Sequence, residues 1–145
     1  MTTAPWTDDE LLRQAQGNAN AVTAATLVYV RNSGRSIEDF ATFIGDTFAG
    51  AWEGLRGAGA LDIARYTAFN PASLGATLVS LDGNDDRASA VVDVSPLLHG
   101  AAAFGASADD VATMWRVFME QIADSIGIGF TFVRDGSRWT FELAR

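Results

Sequence analysis

Ile128-Gly129-Phe130-Thr131-Phe132-Val133-Arg134-Asp135-Gly136-Ser137-Arg138-Trp139-Thr140-Phe141-Glu142-Leu143 decides the fold class. Apolar and polar residues alternate on both sides of Asp135-Gly136, the period of a half-buried strand. Asp-Gly is a preferred pair for a two-residue type I′ hairpin. A turn there pairs Phe132 with Trp139 and Phe130 with Phe141, and Ile128 and Leu143 extend the same face. Cross-strand aromatic pairs contribute roughly 0.2–1 kcal/mol each. One whole face of this hairpin is therefore hydrophobic and needs a cover.

Upstream, Ala76–Asp82 and Ala88–Val94 are rich in β-branched residues, and Asp82-Gly83-Asn84-Asp85-Asp86 joins them as a second hairpin. Ala90, Val92 and Val94 are expected to face the core, with Ser89, Val91 and Asp93 on the other side.

Three helices are expected to supply the cover. Thr7 followed by Asp8-Asp9-Glu10 starts the first, over about 8–31, because a hydroxyl and acids satisfy the exposed amides of a first turn. Its apolar face reads Leu11, Leu12, Ala15, Ala19, Val22, Thr26, Tyr29 and Val30. Ser36-Ile37-Glu38-Asp39 caps the second, over about 37–56, with Ile37, Phe40, Ala41, Ile44, Phe48, Ala51, Trp52 and Leu55 as its stripe. Its other side carries Gly45, Ala49, Gly50 and Gly54, small residues that either let a helix approach closely or are simply tolerated. Ser107 caps the third, over about 108–126, with Val111, Met114, Trp115, Phe118, Met119, Ile122 and Ile126 facing inward and Gly127 ending it. Residues 57–75 are the least readable; Leu61–Tyr66 suggests a short helix, punctuated by Asn70-Pro71.

The expected fold is one α+β domain over 1–145, order ααββαββ, with three helices on one face of a four-stranded antiparallel sheet (76–82, 88–94, 128–134, 137–143). At 145 residues a single core is feasible without staples. The 48% apolar and 19% charged composition is that of a globular chain.

Composition also narrows the chemistry. There is no cysteine, which excludes disulfides, thiol catalysis and thiolate metal sites. A single histidine argues against a protein-held zinc, so no metal or cofactor is expected. A net charge of −8 disfavours nucleic acid and anionic lipid as partners. Met1–Thr7 lacks a secretory pattern and Ala21–Val30 is too short to span a bilayer, so a cytoplasmic location is expected.

His99 follows a strand end, and its ordinary pKa suits a general base, with Asp93 as partner. The bland alternative is an exposed histidine. Ser95 beside them invites a triad, but no nucleophile-elbow pattern is present. The acidic loop Asp82–Asp86 lacks the spacing of a calcium loop. Trp52, Tyr66, Trp115 and Met119 are candidates to line an apolar pocket for a small apolar or aromatic ligand, with Ser95 at its edge. Arg65 or Arg116 is a candidate to orient a carboxylate there. Helical spacing explains the same aromatic residues as plain core.

Residues 89–143 show a larger pattern. A strand ends in Val92-Asp93-Val94-Ser95-Pro96, a helix ends in Ala123-Asp124-Ser125-Ile126-Gly127, and the aromatic hairpin closes the chain. This resembles the layout of the L-2-amino-thiazoline-4-carboxylate hydrolase family and is similar to 4-vinyl reductase-type small-molecule-binding domains. Those families carry a cysteine at the strand end, where this chain has Ser95, and often another in the final strand. The resemblance therefore implies the architecture and a ligand pocket, not a thiol- or metal-dependent reaction.

Three functions follow as expectations: a small-molecule-binding domain, forming a homodimer; a hydrolase or isomerase using His99 with Asp93; or an interaction protein assembling through its long first helix.

Overall fold

The computed structural model describes residues 5–145; Met1–Ala4, part of the segment read for a leader, lie outside the described residues. The chain runs α1 (Asp8–Asn32), α2 (Ile37–Phe48), a 3-10 segment (Ala49–Leu55), α3 (Ala60–Ser73), β1 (Thr77–Gly83), β2 (Arg87–Asp93), α4 (Ser95–Ala103), α5 (Ala108–Ile126), β3 (Gly129–Asp135) and β4 (Arg138–Ala144). The class is α+β with a four-stranded antiparallel sheet, as expected. Five α-helices replace three, and the order is α-α-α-β-β-α-α-β-β.

The strands lie in the order β1-β2-β4-β3, so the two hairpins join through β2 and β4. Ala88, Ala90, Val92 and Val94 are buried with Trp139, Phe141 and Leu143 on one face of the sheet. Ser89, Val91, Asp93, Thr140 and Glu142 lie on the other, which no helix among the described residues covers. The C-terminal hairpin differs from expectation by two residues. Phe132 pairs with Phe141, Phe130 with Leu143, and Asp135 with Arg138. The turn residues are Gly136 and Ser137, with Gly136 at φ +57°; glycine at the first of two loop positions is the type II′ preference. A slip of two keeps every side chain on its face, whereas a slip of one reverses them all. The aromatic contacts therefore persist as diagonals: Phe132–Trp139 centroids are 5.3 Å apart and Phe130–Phe141 6.1 Å.

The cover is α3 and α5. α3 lies over β2, β1 and β4, and α5 over β3. Sequence stops α3 at Asn70-Pro71, but Pro71 is buried inside it. A proline lacks the N–H that would bond the carbonyl four residues back and clashes with it; here that carbonyl is that of Thr67, inside the buried face of α3, and the helix runs only two residues beyond Pro71. No side chain of α3 caps its N-terminus, and at its C-terminus the Ser73 hydroxyl reaches only the Asn70 carbonyl, at 2.7 Å. The N–H groups of Ala60 and Leu61 donate to the carbonyls of Asp85 (2.8 Å) and Asn84 (3.1 Å) in the first hairpin loop. Gln16 and Asn20 of α1 donate to the carbonyls of Ser73 (3.0 Å) and Leu74 (2.9 Å).

Residues 95–103, read as connection and small-residue loop, form α4, with Pro96 near the N-terminus where it is pre-organised for a helix. The second helix does not reach residue 56 as α-helix; after Phe48 it tightens into 3-10 geometry through a stretch holding Gly50 and Gly54. Its buried line is Ile37, Ala41 and Gly45, not the larger Ile44 and Phe48. A Cβ on Gly45 would sit 2.7 Å from Gln121 Cβ, so of the three glycines on that side Gly45 makes the close approach, to α5. Gly50 and Gly54 have open space.

The face of α1 is also corrected. Its buried residues are Ala24, Leu27 and Val30, while Leu11, Leu12, Val22 and Tyr29 are exposed. Arg31 at its end makes a bidentate pair with the buried Asp110 at the start of α5, Nε to Oδ2 at 2.7 Å and Nη2 to Oδ1. That guanidinium holds the Asp110 carboxyl below the usual carboxylate range, against the opposing effect of burial.

Candidate functional site

In a 3-10 turn residues i and i+3 eclipse, which sets Trp52 and Leu55 of the 3-10 segment on one side. Along α3, Asp62, Arg65, Tyr66 and Phe69 recur at i, i+3, i+4 and i+7, one helical face. The opposite face of α3, with Ala60, Ile63, Ala64, Thr67 and Ala68, is buried. The two elements thus form the walls of a surface groove with two lobes. One, of about 460 Å³, is lined by Leu55, Asp62, Arg65, Tyr66 and Phe69. The other, of about 430 Å³, shares Leu55, Tyr66 and Phe69 and adds Ala51, Trp52, Gly54 and Asn70.

Trp52 is buried and meets Tyr66 edge-on, centroids 6.1 Å apart at 66°. Tyr66 and Phe69 are 54% and 65% exposed, so most of both rings faces the groove and solvent. Asn70 donates to the Tyr66 carbonyl at 3.1 Å, which secures the last turns of this wall. At the other end, Arg65 takes no part in the ion pairs found among the described residues. Its guanidinium is available to a ligand anion, with Asp62 one turn earlier discriminating against a second negative group. An apolar trough with a cation at one end can hold an aromatic or aliphatic body by dispersion and burial and orient it by one ionic contact.

The other sequence candidates do not converge here. Trp115 is buried on α5, edge-on to Phe118 at 6.1 Å, and lines a cavity of only about 50 Å³ beneath α1 and α4. Met119 is fully buried core. Arg116 is engaged by Glu120 at 2.9 Å. His99 is exposed on α4 and has no hydrogen-bond partner among the described residues. Asp93 instead serves the chain: its Oδ1 accepts the Ser95 backbone N–H at 2.9 Å. That bond, with the Ser95 and Ser137 hydroxyls, lowers the Asp93 pKa. Neither His99, Asp93 nor Ser95 lines the groove.

The acidic hairpin loop is likewise structural. Asn84 Oδ1 accepts the N–H groups of Asp86 (2.9 Å) and Arg87 (3.1 Å). Among the described residues no cluster of three or more His, Asp or Glu is placed to hold a metal ion, and no helix is long and apolar enough to cross a membrane. A concavity of about 600 Å³ at one end of the open sheet face carries Asp82, Ser89, Thr131 and Glu142 but only one aromatic side chain, Phe130.

Sequence reads Leu55 as helix stripe and Asn70 as punctuation, and assigns neither them nor Asp62 and Phe69 to a site. The 3-4-3 spacing of Asp62, Arg65, Tyr66 and Phe69 carries the signal, and it becomes visible once the helix is allowed past Asn70-Pro71. No protein-family model matches the chain, and no curated protein matches it.

Proposed function

We propose that this protein is a small-molecule-binding domain whose site is the groove between the 3-10 segment and α3. The ligand has an apolar or aromatic body that rests on Tyr66 and Phe69, and an anionic end that meets Arg65. One observation carries this reading: two largely exposed aromatic rings share a groove with a buried tryptophan edge and an arginine that has no acid partner among the described residues. Adjacent exposed apolar residues rimmed by polar groups mark interaction sites more often than they occur idly. The groove is open where sequence anticipates an enclosed pocket, so affinity is modest. At about 0.3 kcal/mol per heavy atom, a ligand of roughly 15–20 atoms binds with a Kd on the order of 10⁻³–10⁻⁴ M. A homodimer and a cytoplasmic setting belong to the same proposal, as does the family resemblance.

Fluorescence titration with 1-anilinonaphthalene-8-sulfonate, an aromatic anion, tests the site. Tyr66→Ser with Phe69→Ser is expected to abolish saturable binding, and Arg65→Gln to weaken it about three- to tenfold. Unchanged binding in the double variant refutes the assignment.

A further inference from the structure

We propose that the outward face of α1 lies antiparallel against α1 of a second copy. This gives the homodimer of the preceding reading a surface and an orientation, rests on that reading, and is independent of the groove.

A helix on a protein surface normally carries one apolar face, turned to its own core, and one polar face. α1 carries two. Its inner line is Gln16, Asn20, Ala24, Leu27 and Arg31, bonded to or buried in the rest of the fold. On the opposite side lie Leu11, Ala15, Val22, Ala25 and Tyr29, all exposed, with Leu11, Val22 and Tyr29 at 51%, 66% and 73%. At 3.6 residues per turn these last three fall within about 20° of one another around the axis. No residue from Asp8 to Ala19 is buried, so the stripe is accessible along its length.

The stripe is nearly self-complementary when reversed about Asn20. Leu11 then meets Tyr29, Ala15 meets Ala25, and Asn18 meets Val22. Ala15 and Ala25, on either side of the central Asn18–Val22 contacts, let the axes approach, and the larger end residues fill the gap as crossing helices diverge. Charge selects the orientation. Asp8, Asp9 and Glu10 occupy the first turn, while Arg35, in none of the ion pairs found among the described residues, follows the helix end; Arg31 is already held on the inner side by Asp110. Parallel pairing would set the acids of both copies together and align the helix dipoles; antiparallel pairing opposes each acidic end to a basic one. The resulting contact is isologous and closes at two copies.

The size sets the strength. A helix of 25 residues is about 37 Å long and ~10 Å wide. It offers on the order of 500 Å² per copy, so the dimer buries about 1,000 Å², the lower bound of specific interfaces. A Kd on the order of 10 μM is expected.

Sedimentation velocity from about 1 to 200 μM spans that Kd. The expected result is a shift from 15.4 kDa towards twice that mass. Val22→Glu, a substitution at an exposed position beside the two-fold, is expected to weaken the dimer at least tenfold without changing the circular dichroism. Because the chain has no cysteine, engineered thiols report orientation. A Leu11→Cys chain mixed with a size-tagged Tyr29→Cys chain is expected to give only the mixed disulfide under mild oxidation. A monomer throughout the range overturns the homodimer itself. A dimer indifferent to Val22→Glu overturns the surface, and disulfide pairing of Leu11→Cys with itself overturns the orientation. None of these outcomes bears on ligand binding in the groove.

Discussion

Asp110→Asn tests how α1 is held to the body of the protein. The Asp110 side chain is 9% exposed and accepts both forks of Arg31, whose own side chain is 64% exposed. Its depressed pKa has the Arg31 hydrogen bonds as first cause. Asparagine keeps the shape and removes the charge, so two charge-assisted bonds become one ordinary acceptor facing a cation. With water reaching the guanidinium, the loss is about 1–2 kcal/mol at neutral pH. For a domain of this length that is a fall in Tm of roughly 2–8 °C. The pH dependence is the sharper readout. A carboxyl whose folded pKa lies below its unfolded value contributes stability that is present above the ordinary value of about 3.9 and is lost as pH falls through the folded pKa. The gap between wild type and Asp110→Asn, measured by urea denaturation followed by circular dichroism, is therefore full at pH 7 and closes in acid below about pH 4. A gap that is absent at pH 7, or that persists undiminished in acid, refutes the assignment of this stability to the carboxylate.

Three further substitutions probe the packing that positions the groove. Gly45→Ala places a methyl against Gln121 Cβ and the Phe118 carbonyl and is expected to destabilise by about 1–2 kcal/mol despite alanine's better helix propensity. Gly50→Ala, with nothing within 4 Å, is expected to be neutral or stabilising, so equal effects in thermal melts would refute the close α2–α5 approach. Asn20→Ala removes the bond to the Leu74 carbonyl at the end of α3 and is expected to cost about 1 kcal/mol. Hydrogen exchange should rise at the last turn of α3 ahead of global unfolding; unchanged protection there would refute the capping role.

How much of this was legible follows where the information is stored. The C-terminal hairpin announced itself because its alternation and its turn glycine are local, and the two-residue error in register left every face unchanged. α1, α2 and α5 carried their own capping residues, Thr7, Ser36 and Ser107, each accepting a backbone N–H in the first turn. α3 did so only weakly: its first amides are capped by the β1–β2 loop and the carbonyls of Ser73 and Leu74 by α1, both remote in sequence, and the local marks of its end are the Ser73 hydroxyl on the Asn70 carbonyl and Gly75 at φ +102°. The candidate site inherits that gap. Trp52 and Tyr66 were legible as aromatics and do meet, and Leu55 was legible as part of the second helix's stripe, whereas Phe69 entered only with the full course of α3. In α1 two apolar faces competed, and periodicity could not say which one the core would take. Only the packing against α4 and the Arg31–Asp110 pair decided it. Trp115 and Met119 were legible as buried but not as separate from the groove, because helical spacing alone does not tell core from pocket.

The claim that the groove binds a ligand is tested most directly by titrating the ¹⁵N-labelled protein with 2-naphthoate and following the backbone amide shifts. Saturable shifts are predicted at Ala51–Leu55 and Asp62–Asn70, with a Kd on the order of 10⁻³–10⁻⁴ M. Shifts confined to the open sheet face around Ser89 and Glu142, or none up to several times that concentration, would contradict it.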